Sequence, residues 1–210
     1  MPGRTAYISD PTWGNHKNIF GDEKVEWKTY RYFNPATTGL DFEGVTPLWA
    51  ACALCHCVAH PHVCRRAGMV ADLSAAAPGS IVILHGCAHN PTGIDPSASQ
   101  WGAIADVCAS RSLVPFFDVA YQGFASGDLE VDAASVRLFA SRGFEMFVSQ
   151  SYSKNMGLYA ERIGALNVLL ADPAATQPVL SQLKRVARAM YSSPPVHGAR
   201  LVAEILGDRE

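Results

Sequence analysis

The chain has 210 residues, 49% hydrophobic and 17% charged, with a formal net charge of -2. That length accommodates one substantial core, or one core and part of a second. The near-neutral balance without a basic run leaves no electrostatic footprint for nucleic acid, and no apolar run approaches the ~18 residues of a membrane-crossing helix.

The opening Met1-Pro2-Gly3-Arg4-Thr5 lacks the apolar stretch of a secretory signal, and six unevenly spread cysteines do not make a secreted disulfide framework. A reducing compartment is the expectation. In chain order, Ala6-Tyr7-Ile8-Ser9 reads as a strand that ends in the turn formers of Asp10-Pro11-Thr12-Trp13-Gly14-Asn15-His16. Trp27 to Tyr32 alternates bulky and polar residues and stops before Asn34-Pro35, which predicts a second strand. Met69 to Ala77 reads as a short amphipathic helix closed by Pro78-Gly79, and Ser80 to Leu84 as a continuous apolar strand. Asn90-Pro91-Thr92-Gly93 is a turn, and Ser97 to Ser110 has the helical spacing of Trp101, Ile104, Ala105 and Cys108. Leu113 to Phe117 is a buried strand with Asp118 at its end. Ala133 to Arg142 is helical, Met146 to Ser149 is a strand, and Lys154 follows it. All-apolar strands alternating with helices predict an α/β fold with a mostly parallel sheet flanked by helices on both faces.

Ligands bind such sheets beyond the carboxyl ends of the strands, where Asn90, Asp118 and Lys154 all fall. Taken singly, each has a plain structural reading: turn former, helix cap and solvated loop cation. Together they match the needs of pyridoxal phosphate, which takes a lysine amine on its aldehyde and a carboxylate at its ring nitrogen. Asn90 and Tyr121 could donate to its phenolate oxygen. Ser151, Ser153 and Arg162 lie near enough in sequence to hold its phosphate.

Five runs carry a family resemblance. They are Pro11-Thr12-Trp13-Gly14-Asn15-His16, the stretch from His85 to Gly93, Phe117-Asp118-Val119-Ala120-Tyr121-Gln122-Gly123-Phe124, the stretch from Ser149 to Tyr159, and Tyr191-Ser192-Ser193-Pro194-Pro195. In that order they resemble the aspartate aminotransferases of the fold-type I pyridoxal-phosphate enzymes. The resemblance implies the family's large cofactor-binding domain, present in part over 1–210, and a reaction between L-aspartate and 2-oxoglutarate. It also implies that Lys154 holds the cofactor and moves the substrate's Cα proton, with Asp118 at the ring nitrogen. Tyr121 and Asn90 would bond the phenolate, Trp13 would stack on the ring, and His16 would stand behind Asp118. Ser151, Ser153 and Arg162 would surround the phosphate. Arg188, three residues before Tyr191, corresponds to the arginine that clamps the substrate's distal carboxylate, with Trp13 and Asn90 also near the substrate. A homodimer is expected for the whole family chain, and no metal, nucleic acid or membrane partner. The compartment is read as cytoplasmic, and mitochondrial or plastid residence would require a leader ahead of the stretch considered.

Three departures qualify the resemblance. Ser193 stands where the family commonly has asparagine. Residues 45–68 interrupt the run from Gly39 to Gly44 before the helix at Met69, and this segment reads as a retained intron or a surface loop. Its Cys52, Cys55, Cys57, His60, His62 and Cys64 are too crowded for paired zinc knuckles, and the haem-like Cys52-Ala53-Leu54-Cys55-His56 is read as coincidence. Finally, family chains are about twice as long, so little transaminase activity is expected of this polypeptide alone. An aromatic-amino-acid aminotransferase is the nearest competing enzyme, and a non-catalytic remnant is the competing reading of another class.

Overall fold

The computed structural model describes residues 4–42 and 68–208. The segment 45–68 therefore lies outside the described residues, apart from Gly68. Contacts divide the chain into two compact units, 1–84 with 89–114 and 85–88 with 115–210. The strands are β1 (Ala6–Asp10), β2 (Trp27–Arg31), β3 (Phe33–Asn34), β4 (Gly39–Leu40), β5 (Ile81–His85), β6 (Val114–Val119), β7 (Met146–Ser151) and β8 (Gly164–Leu169). Strands β3 and β4 pair antiparallel as a small ribbon, and the other six have the order β2-β1-β5-β6-β7-β8. Among the described residues the first unit holds the helices α1 (Asn15–Asp22), α2 (Met69–Ser74) and α3 (Ala98–Ser110). Four belong to the second: α4 (Leu129–Asp132), α5 (Ala134–Ser141), α6 (Thr176–Met190) and α7 (Val196–Gly207), with a 3-10 turn at Pro173–Ala175.

In the first unit β1 is the central strand. It pairs parallel with β2, Ala6 opposite Trp27, and with β5, Ala6 opposite Ile81. Ala6, Ile8, Tyr30, Leu73, Val82 and Ile104 are all but fully buried around it. Tyr30 belongs there because its hydroxyl donates to the Ile83 carbonyl at 2.8 Å, which offsets the desolvation that raises its phenol above the ordinary range. Helix α3 starts where a capping box forms: Gln100 N–H donates to Ser97 Oγ, and Ser97 N–H donates to Gln100 Oε1 at 2.8 Å. Helix α2 is tied to β2 by Asp72, which accepts from the Arg31 backbone N–H and Nε, both at 2.9 Å. The guanidinium holds that carboxyl below its usual range.

In the second unit β6 and β7 run parallel with Asp118 opposite Ser149. By pleat alternation Phe117, Val119 and Val148 share one face while Asp118, Ser149 and Ser151 share the other. Phe117 and Phe139 of α5 pack edge to face at 5.1 Å. Ser135 Oγ donates to the Gly86 carbonyl at 2.7 Å, and Gly86 N–H donates to the Asp118 carbonyl at 2.9 Å.

Several elements differ from the sequence-based expectation. The loop expected around Asn15 is the helix α1, Asp118 lies within β6 rather than after it, and α2 stops at Ser74. Strand β8 was not anticipated and runs antiparallel to β7, Ser151 opposite Gly164, because residues 152–163 fold back without a crossover helix. Helices α6 and α7 were also not anticipated. Helix α6 holds no fully buried residue, and Val179, Leu183 and Ala187 are half-buried along one side.

Candidate active site

The second unit assembles its chemistry at the carboxyl ends of β6 and β7. Asp118 is the penultimate residue of β6, half-buried, and its register with Ser149 puts it on the strand next to the one that delivers Lys154. Beyond β6 the chain turns over, and Lys154 Nζ sits 5.5 Å from the centroid of the Tyr121 ring, a cation–π distance. Ser151 closes β7, and its Oγ accepts from Ser153 N–H at 3.2 Å, which holds the turn that presents the lysine. Ser153 is buried. Next to Lys154, Asn155 donates through Nδ2 to the Gln122 carbonyl at 3.4 Å, while its Oδ1 is buried without a partner among the described residues.

The loop that carries Tyr121 is held by a residue that sequence reasoning missed. Asp132 accepts from the N–H groups of Gly123 at 2.7 Å, Ala125 at 3.1 Å and Ser126 at 3.0 Å, and from Ser126 Oγ at 2.6 Å. Burial pushes its carboxyl up, but the Ser126 hydroxyl and the three N–H donors outweigh that and hold it below the usual range. Asp128, the cap of α4, gave the only local signal: its Oδ1 accepts from Glu130 and Val131 N–H. The pattern from Gly127 to Asp132 thus announces a helix start, not a loop clamp.

Arg162 and Arg188 each bond a near neighbour in sequence. Arg162, exposed and in the left-handed region with φ 50°, donates through Nη1 to the Tyr159 carbonyl at 2.9 Å. Arg188, exposed in the last turn of α6, donates to Ser192 Oγ.

The remaining predicted residues belong to the first unit. His16 is buried on α1, with Nδ1 2.8 Å from Thr12 Oγ1 and its ring 5.4 Å from that of Trp13, edge to face. Trp13 is 42% exposed, so its indole faces outward and is available to a planar ligand. Asn90 is half-buried in the loop after β5. A cavity of 290 Å³ on the Val119 and Val148 face of the second unit, lined also by Gln122, Val136 and Leu169, contains none of the predicted residues. Among the described residues no group of three or more His, Cys, Asp or Glu side chains could hold a metal.

The second unit thus sets a half-buried lysine, in the turn after β7, over a tyrosine ring, and a carboxyl side chain near the end of the neighbouring parallel strand β6. The family model for aminotransferase class I and II matches residues 1–210, and the chain belongs to that family. It is 59% identical over 208 residues to the chloroplastic aspartate aminotransferase of Arabidopsis thaliana, covering 99% of this chain and 41% of that one. Among solved structures it resembles aspartate aminotransferase from Trypanosoma cruzi, with TM-score 0.85 and 45% identity over 98% of this chain and 46% of that one. It also resembles an aromatic-amino-acid aminotransferase from Burkholderia pseudomallei solved covalently bound to pyridoxal phosphate, with TM-score 0.85 and 42% identity over 99% of this chain and 46% of that one. The chain thus spans less than half the length of these relatives.

Proposed function

We propose that the chain carries the cofactor-binding portion of a pyridoxal-phosphate-dependent aminotransferase that passes an amino group from L-aspartate to 2-oxoglutarate. The observation that carries the reading is the amine of Lys154 over Tyr121, beyond the strand next to the one whose penultimate residue is Asp118. The donor set fits the group: an amine for the aldehyde, a carboxylate for the ring nitrogen, a phenol for the phenolate oxygen, and hydroxyls at Ser151 and Ser153 for the phosphate. When bound, pyridoxal phosphate supplies a protonated ring that accepts electrons from the substrate's Cα.

The chain's own residues perform the rest. Lys154 would hold the cofactor through its aldehyde carbon, and its amine would move the proton at the substrate's Cα. Asp118 would hold the proton on the cofactor's ring nitrogen. Tyr121 would donate to the phenolate oxygen and Ser151 and Ser153 would orient the phosphate, with Arg162 added to the phosphate's surroundings by family resemblance. Family resemblance adds Asn90, Trp13 and His16 to the cofactor's surroundings and Arg188 to the substrate's distal carboxylate.

Aspartate is favoured over aromatic substrates because the relatives named for aspartate reach 59% and 58% identity, against 42% for the aromatic enzyme. A homodimer belongs to the same proposal, to be checked by light scattering. Relatives include chloroplastic, mitochondrial and cytoplasmic forms; cytoplasmic residence is the working assignment, to be checked by fractionation. Among the described residues no helix is long and apolar enough to cross a membrane.

The test is a titration of the chain with pyridoxal phosphate. A visible absorbance band of lysine-linked pyridoxal is expected in the wild type and lost in Lys154→Ala. A band of equal strength in Lys154→Ala refutes the assignment, and turnover of phenylalanine in preference to aspartate overturns the substrate.

A further inference from the structure

The residue before Asn90 is anchored at every polar atom it possesses. His89 is 1% exposed, with Nε2 2.9 Å from Ser9 Oγ and Nδ1 2.8 Å from Thr92 Oγ1. Its ring stacks on that of Tyr32, centroids 3.7 Å apart and planes 13° from parallel. Its backbone N–H donates to Asp95 Oδ1 at 2.9 Å, and its carbonyl accepts from Gly93 N–H at 2.6 Å. We propose that His89 is the positioning residue for Asn90, its imidazole locking the loop 89–93 to β1 so that the Asn90 amide is aimed before any ligand arrives. The inference rests on the reading of Asn90 as a donor to the cofactor's phenolate oxygen, because that is the group it serves.

The clamp is assigned one tautomer, with the imidazole proton on Nε2 and given to Ser9 Oγ. Tyr30 Oη–H donates to the Ile83 carbonyl, so its oxygen can accept the Ser9 proton in turn. At the other nitrogen, Thr92 Oγ1 accepts from Ile94 N–H at 3.2 Å and gives its own proton to Nδ1. Tyr32, which stacks on the ring, donates to the Ile94 carbonyl at 2.6 Å and closes the circuit. A phenylalanine here would fill the same space and stack on Tyr32 at less desolvation cost. What it could not do is hold β1 and Thr92 at fixed distances from one ring, which is the requirement of a loop that must present an amide in one orientation.

The test uses the whole 210-residue chain. Without cofactor, nitrogen NMR of the His89 ring is expected to show the Nε2–H tautomer alone. Hydrogen exchange at Gly93 N–H rises about tenfold in His89→Gln and in Thr92→Val, and returns to the wild-type rate in Thr92→Ser, which keeps the hydroxyl. Exchange at Gly123 and Ser126, held by Asp132, stays unchanged and reports that the variants are folded. With pyridoxal phosphate, affinity falls about fivefold in both His89→Gln and Thr92→Val, and falls no further when either is combined with Asn90→Ala. An Nδ1–H tautomer, or unaltered Gly93 exchange in both variants, overturns the clamp. Affinity losses that add in full to that of Asn90→Ala show that His89 does not act through Asn90. A wild-type chain without the Lys154-dependent band refutes the cofactor reading instead, and the tautomer and exchange results then decide the clamp on their own.

Discussion

Asp132 is 5% exposed and accepts four hydrogen bonds from the stretch 123–126, so the position of Tyr121 depends on a side chain eleven residues further on. Removing it leaves three N–H donors without an acceptor, and Asp132→Ala is expected to cost about 2–3 kcal/mol, read as a lower urea midpoint at pH 7. The sign of its pH dependence follows from its depressed folded-state value. Its stabilisation is complete above the ordinary carboxylate pKa of about 3.9 and is lost as pH falls through the lower folded value. Below about pH 3.9 the wild type therefore loses stability that Asp132→Asn does not, so the gap between their urea midpoints holds from pH 7 to about pH 4 and narrows below it. A gap unchanged on acidification would show that folding does not depress the Asp132 carboxyl. His89 and Asp132 are both neighbours of residues the sequence singled out, and both act by holding backbone.

Among the elements, the join between β4 and α2 speaks to the segment 45–68. Met69 N–H donates to the Asp41 carbonyl at 2.7 Å, so the chain leaves and re-enters this part of the first unit within one hydrogen bond. With 45–68 excised, Met69 becomes the fourth residue beyond Asp41, and the same bond becomes a single helical-type turn. We therefore propose that the segment is dispensable to the fold. Deletion of 45–68 is expected to raise stability by roughly 1–2 kcal/mol, from the loop-closure entropy of about 24 residues, with unchanged circular dichroism. A deletion variant that fails to fold would show that the segment is structural.

Strand β8 is tested by Gly164, where a Cβ would stand 2.5 Å from the Gln150 carbonyl oxygen. That clash is with backbone, which cannot rotate away. Gly164→Ala is expected to lower stability by about 1–3 kcal/mol in thermal melts. A melt equal to wild type would mean that β7 and β8 separate more easily than their register implies.

At the scale of the whole molecule, apolar surface is left open. Val186 and Met190 of α6 are 55% and 70% exposed, and Leu201, Ile205 and Leu206 of α7 are also exposed. Water on that much apolar surface favours association. The isolated chain is expected to bind a hydrophobic dye and to show concentration-dependent size in light scattering, and Val186→Glu with Ile205→Glu should reduce both. A monodisperse, dye-silent wild type would contradict this. The prediction is independent of the cofactor, since neither helix contributes Lys154, Asp118 or Tyr121.

The sequence by itself determined the α/β class, the strands β1, β2, β5, β6 and β7, helix α3 and the family, because each rests on local patterns: apolar runs, helical spacing, and motifs that keep their order. It also picked out Asp118 and Lys154, whose chemistry is unusual at strand ends. Only the tertiary structure decided that β8 turns back antiparallel, that Asp132 holds the Tyr121 loop, that His89 is locked between Ser9 and Thr92, and that Asp41 meets Met69. Those are contacts between residues far apart in the chain or set by the direction of a loop. Hydrophobic period and residue type carry no information about either until the chain is packed.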